Sequence, residues 1–214
     1  MPHPSPWKNK KIRPRNREFK REAVLRAAAD LFNEKGFHPT SIDDVAKRLH
    51  VTKPTIYHYV ENKDDILYQC IRIGVETTRK AVAEIAERKA PAVDRLKAAM
   101  REHARIAARD FGMCVIRVGE HGLPAERRNR IRRLRRDVDH RYRALVQEGI
   151  DEGSLAPCDP KLASFTIAAS IAWISRWYHD DGPLSVDDIA DQCVSILMNG
   201  LVKRPRPSPS RRTQ

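Results

Sequence analysis

Between Lys53 and Tyr59 the chain reads Lys-Pro-Thr-Ile-Tyr-His-Tyr. At helical spacing Ile56 and Val60 point one way, which leaves Lys53, Thr55, Tyr57, His58 and Tyr59 mostly on the outside. One cation, hydroxyls, aromatic rings and an imidazole make poor core material. Such groups suit phosphates and the base edges of a major groove, so the chemistry they offer is recognition of a duplex rather than bond-making. An ordinary helical hairpin with a solvated face has the same outline, and two short helices alone do not separate the readings.

The elements that must position this face are legible around it. Ser41 followed by Asp44 makes an acidic capping box, so a helix starts there, with Val45, Ala46 and Leu49 on one face. His50-Val51 break the pattern before a second cap at Thr52. Pro54 is tolerated within a first turn whose amides lack helical partners, so a short helix begins at about Lys53. Ahead of the pair, residues 17–35 predict a helix with the stripe Val24, Leu25, Ala28, Leu31 and Phe32, stopped by Gly36 and anchored by Phe37. After it, Asn62 caps a helix running from about Lys63 to Arg88, roughly 40 Å long. Lys63, beside the free amides of that helix start, has the chemistry of a phosphate clamp.

Phe37-x-x-Thr40-Ser41-Ile42-x-x-Val45-Ala46, then Val51 to Val60 and Asn62-Lys63-Asp64-Asp65-Ile66-Leu67, resemble the DNA-binding domain of TetR-family transcriptional regulators from about Arg17 to Leu67. The resemblance implies an all-α protein: an N-terminal three-helix helix-turn-helix domain and a C-terminal helical domain that dimerises and binds a small ligand. By position it implies that Lys53, Pro54, Thr55 and His58 face bases, while Ser41, Tyr57, Tyr59 and Lys63 hold phosphates. Two residues depart from the family pattern. Val60 replaces a commoner aromatic, and Asp43 puts an acid where some members carry a basic base-reader.

Beyond residue 90 the apolar periodicity predicts helices from Pro91 to Ala108, over the run Met113-Cys114-Val115-Ile116, from Ala125 to Gly149, from Pro160 to Tyr178 and after the Ser185 cap. Residues 125–143 hold nine arginines against three acids. Much of that charge is a solvated face, yet guanidiniums also bind phosphates bidentately, so Arg130 and Arg133 are candidates for the phosphates of a coenzyme A thioester. Trp173, Arg176 and Trp177 are candidate pocket residues. Ile167, Ile171, Ile174, Ile189, Cys193, Ile196 and Leu197 are the candidate dimer interface, because two strongly apolar helices mated with their copies form a four-helix contact. The segment WISRWYHDDGPLSVDDIA is similar to TetR regulators of lipid and acyl-CoA metabolism.

The 214-residue chain can bury a real core. It has no uninterrupted apolar run of membrane-spanning length and no secretory h-region, so a cytoplasmic protein is expected. Cys70, Cys114, Cys158 and Cys193 lie far apart without ligand spacing, so buried free thiols are expected and no metal or cofactor. No phosphate loop or nucleophile elbow points to an enzyme. Of the formal charge of +13, residues 1–22 carry +6 and residues 203–214 carry +5. The organisation predicted is a basic disordered arm (1–16), a reading domain (17–68), an effector-binding and dimerisation domain (69–202) and a basic disordered tail (203–214). The partners expected are a near-palindromic duplex operator, a second copy of the chain and a small effector, with a repressor as the leading function. A nonspecific, nucleoid-type DNA-binding protein is the alternative that the basic ends permit. Deleting residues 1–15 is predicted to lower operator affinity and flatten its salt dependence in a titration; an unchanged slope removes the arm from DNA binding.

Overall fold

The computed structural model describes residues 15–200. Among them lie ten helices and no strand: α1 Arg15–Lys35, α2 Ile42–Leu49, α3 Lys53–Tyr57, α4 Lys63–Ala86, α5 Ala92–Ala107, α6 Asp110–Arg117, α7 Ala125–Asp151, α8 Pro160–Ala172, α9 Ile174–Trp177 and α10 Val186–Asn199. The all-α expectation holds. The predicted tail and nearly all of the predicted arm fall outside the described residues.

Local chemistry explains most boundaries. Ser41 Oγ accepts from the Asp44 amide at 3.1 Å while Asp44 Oδ2 accepts from the Ser41 amide at 2.8 Å, and Ser185 with Asp188 repeats the device before α10. Asn62 Oδ1 caps α4 through the Asp65 amide at 2.8 Å. Gly36, at φ +88°, ends α1 in the left-handed region that favours glycine. One predicted helix is two. The Pro160–Tyr178 segment breaks after Ala172, and Arg117 from α6 donates to the carbonyls of Ser175 and Tyr178 at 2.6 and 2.8 Å, satisfying acceptors at the end of α9.

Two apolar clusters share α4. The first joins α1 to α4 with Phe111 and Cys114 of α6 and Ile131 of α7. The second joins the lower half of α4 to α5, α7, α8, α9 and α10. Thus α6, the short buried helix predicted for Met113–Ile116, lies between α1 and α4 instead of pairing as a strand. Of the four cysteines, Cys70 and Cys114 are buried as expected, Cys193 is half-buried, and Cys158 is exposed on the loop before α8.

The predicted dimer interface needs correction. Ile167, Ile171, Ile174 and Ile189 are at most 6% exposed and belong to the subunit's own second core. A side chain already enclosed by its own subunit has no surface left for a partner. Cys193 and Leu197 are half-buried, and only Ile196, at 71%, is open. The large apolar side chains left exposed from α8 onward are instead Leu162, Phe165, Trp173, Trp177, Leu184 and Ile196. Alpha-8 is apolar on both sides, as predicted, but one side serves the subunit itself.

Two glycines allow α6 to sit where it does. A Cβ on Gly74 of α4 would lie 2.5 Å from the Phe111 carbonyl oxygen, and one on Gly112 would run into the carbonyl of Ile106. Gly74→Ala and Gly112→Ala are therefore predicted to destabilise by about 1–3 kcal/mol or more in denaturant unfolding, while Gly122→Ala, with open space around it, changes little. Burial also holds the His103 ring at about 4, below its ordinary 6.5. Between those values the unfolded chain binds the proton and the folded one does not, so stability is full above pH 6.5 and falls as pH drops towards 4. His103→Phe is predicted to remove up to about 3 kcal/mol of that pH dependence, read from unfolding midpoints across the same window.

Candidate nucleic-acid interface and effector cavity

Alpha-3 has only five residues, and its inner face is fixed by Ile56 and Val60, 0% and 4% exposed in the first cluster. Lys53, Pro54, Tyr57 and His58 face outward, with Tyr57 47% exposed. Thr55 is half-buried with its hydroxyl 2.9 Å from that of Thr52, and Tyr59 is half-buried against the core. Ser41 is exposed at the start of α2, its hydroxyl donating to Asp44 Oδ2 at 2.7 Å. That hydrogen bond and the Ser41 amide hold the Asp44 carboxyl below its usual range. Val60, the departure from the family's aromatic, fills its core position.

The cations around this face are mostly engaged. Lys53 donates to Asp43 Oδ2 at 2.9 Å, which raises the Lys53 pKa, and Arg48 pairs with Glu34 at 2.7 Å. Lys63 is a correction to the expected phosphate clamp. Its ammonium donates to the carbonyls of Phe37, His38 and Thr40 at 2.9, 3.1 and 2.9 Å and sits 4.3 Å from the Phe37 ring centroid. An ammonium has three donors, and here all three close the turn between α1 and α2. Residue type alone did not separate a phosphate ligand from a carbonyl ligand.

Behind the reading helices an apolar cavity of about 290 Å³ opens between α4, α5, α6, α7, α8 and α9. None of Arg130, Arg133, Trp173, Arg176 or Trp177 lines it; all five are exposed. Arg130 and Arg133 fail as lining because Ile131, Val138 and Tyr142 face inward on α7, which turns the two arginines to the opposite side. The arginine of α7 that reaches the cavity is Arg135, joined by Asp139, and the lining that sequence reading missed includes His103, Thr78, Phe165 and Ser175. A signal was present: small or polar residues interrupt the buried stripes of α4, α5 and α6 at Gly74, Thr78, His103 and Gly112.

Alpha-6 touches both regions. Gly112, Val115 and Ile116 line the cavity, while on its other side Asp110 takes Arg26 Nη1 at 3.2 Å and its carbonyl takes Asn33 Nδ2 at 2.9 Å, both from α1. Through α6 the cavity wall is thus joined to α1, against which α2 is packed.

Comparison with known proteins agrees with this architecture. Residues 24–70 match the model of bacterial regulatory proteins of the tetR family, and residues 89–201 match a tetracyclin repressor-like C-terminal domain. The transcriptional repressor KstR2 of Rhodococcus jostii is 25% identical over 85% of this chain and 91% of its own length. The TetR-family regulator PfmR of Thermus thermophilus superposes with a TM-score of 0.76 at 28% identity, over 83% of this chain and 97% of that one. A structure of AibR in complex with isovaleryl coenzyme A and operator DNA does so with a TM-score of 0.72 at 26% identity, over 82% and 96%. The two family models between them cover the reading helices and most of the helical domain behind them, and the chain belongs to the TetR family of bacterial regulatory proteins.

Proposed function

We propose that this protein is a dimeric, operator-binding repressor released by a small ligand held in the cavity, an acyl-CoA thioester being the class favoured by the complex of AibR. The observation that carries the reading is the outward face of α3, on which Tyr57 and His58 stand open beside Lys53. Residues 17–68 read DNA in this account, and residues 69–202 bind the effector and pair the subunits. An operator-binding role puts the protein with the chromosome in the cytoplasm.

The exposed side chains Leu162, Phe165, Trp173 and Ile196 supply the apolar face for pairing about a two-fold axis. Two α3 helices then meet successive major grooves, and their separation decides whether both fit. A ligand that binds better when the heads are wrongly spaced releases DNA by its differential affinity, and reversing occupancy fully takes about 5 kcal/mol. Alpha-6, shared by the cavity and α1, is the element such a ligand biases.

Footprinting on the promoter beside its own gene tests the proposal. A protected near-palindrome, lost on adding acyl-CoA esters, is expected; uniform protection of unrelated DNA at moderate salt contradicts it. Ile196→Glu is predicted to yield a folded monomer with at least roughly tenfold weaker operator binding, measured by sedimentation and gel shift. Asp43→Ala, which frees Lys53 and removes an acid from the DNA face, is predicted to tighten binding to operator and unrelated duplexes alike.

A further inference from the structure

The polar groups around the cavity are almost all satisfied by the protein itself. Thr78 Oγ donates to the Gly74 carbonyl at 3.2 Å, and Ser175 Oγ donates to that of Ala172 at 2.5 Å. Arg135 lies 3.3 Å from Glu120 Oε2. Asp139 accepts from Ser164 Oγ at 2.7 Å and pairs with Arg143. A ligand charge entering here would have to break one of these pairs or stay unpaired in an apolar enclosure, and either is costly.

Among the residues that line the cavity, His103 differs from these charged and hydroxyl groups. Its ring is 9% exposed and lines the cavity, with Nδ1 3.3 Å from the hydroxyl of the fully buried Tyr142. Among the described residues the hydroxyl has no partner but Nδ1, and the tautomer that satisfies both groups has the hydroxyl donating to Nδ1. That tautomer carries the ring proton on Nε2, for which the described residues supply no acceptor. Burial keeps the ring neutral at physiological pH. A neutral, immobilised N–H donor is left for whatever fills the space.

Size limits the ligand further. An apolar cavity of about 150 Å³ takes benzene, so one of about 290 Å³ takes on the order of a dozen non-hydrogen atoms. We propose that the cavity buries a neutral, apolar group of about that size bearing one hydrogen-bond acceptor, such as the thioester carbonyl of a short or medium acyl chain, and that His103 Nε2–H binds the acceptor. This rests on the cavity being the effector site. It excludes free carboxylic acids and chains of sixteen carbons as good ligands.

Calorimetric titration of the full-length dimer tests the inference directly, without DNA. The probes are hexanoyl-CoA, palmitoyl-CoA, hexanoate and 2-octanone, with His103→Phe and His103→Gln as variants. Hexanoyl-CoA and 2-octanone are expected to bind. Hexanoate should bind at least roughly tenfold more weakly than hexanoyl-CoA, and palmitoyl-CoA no better than hexanoyl-CoA. His103→Phe should weaken the hexanoyl-CoA and 2-octanone complexes roughly tenfold, with His103→Gln, which keeps a donor, losing less. Equal binding of hexanoate and hexanoyl-CoA, preference for palmitoyl-CoA, no binding of either neutral probe, or unchanged affinity in a folded His103→Phe protein would each overturn it. Operator binding by the ligand-free protein, run in parallel, reports separately on the regulator reading: its loss condemns that reading, and its presence with any of the failures above condemns only the ligand assignment.

Discussion

A helix of five residues cannot hold its own shape in water, because nucleation costs more than one turn of hydrogen bonds returns. Alpha-3 exists because Ile56 and Val60 are buried in the cluster built by α1, α2 and α4, and because the α1–α2 turn is locked to the start of α4. The lock is Lys63. By binding three carbonyls between Phe37 and Thr40, its ammonium pins the start of α4 to the junction of α1 and α2, and the reading helix is strung between those two points. Thr40 is itself buried with its hydroxyl on the Gly36 carbonyl at 2.7 Å, so this junction has little freedom. The outward direction of Tyr57 and His58 follows from that anchorage.

The same economy of parts connects the two ends of the molecule. Alpha-4, about 36 Å long, carries residues of both apolar clusters. Alpha-6 has no separate core of its own: one side belongs to α1 and the other to the cavity. Gly74 and Gly112 bring its backbone so close to α4 and to the end of α5 that little slack remains. Packing of this kind transmits displacement, because a close-packed junction shifts as a unit more readily than it compresses.

Local chemistry was legible in the chain. Ser41 with Asp44, Asn62, Gly36 and the Ser185 cap announce themselves within four residues, and the helices begin or end where they stand. The apolar stripe of α1 and the inward pair Ile56 and Val60 were equally plain. What failed was partner choice over distance. Lys63 and its carbonyls are more than twenty residues apart, and Asp43 and Lys53 are ten apart, so nothing in either neighbourhood chooses carbonyl or carboxylate over phosphate. Alpha-8 is apolar on more than one face, one packed in the subunit's own core and one open at Leu162 and Phe165, and its sequence alone does not tell the two apart. Six helices contribute to the cavity, and its position emerges only once their stripes are assembled; the arginine-rich run of α7 drew notice to residues that look the other way.

The central claim is that the face bearing Tyr57 and His58 is turned outward to meet a duplex. Magnetic resonance of the histidine rings, recorded before and after adding an operator duplex, tests it most directly. The account predicts that the His58 signals shift on binding while those of His103, in its distant cavity, move far less. An operator complex in which the His58 signals stay where they were would contradict it.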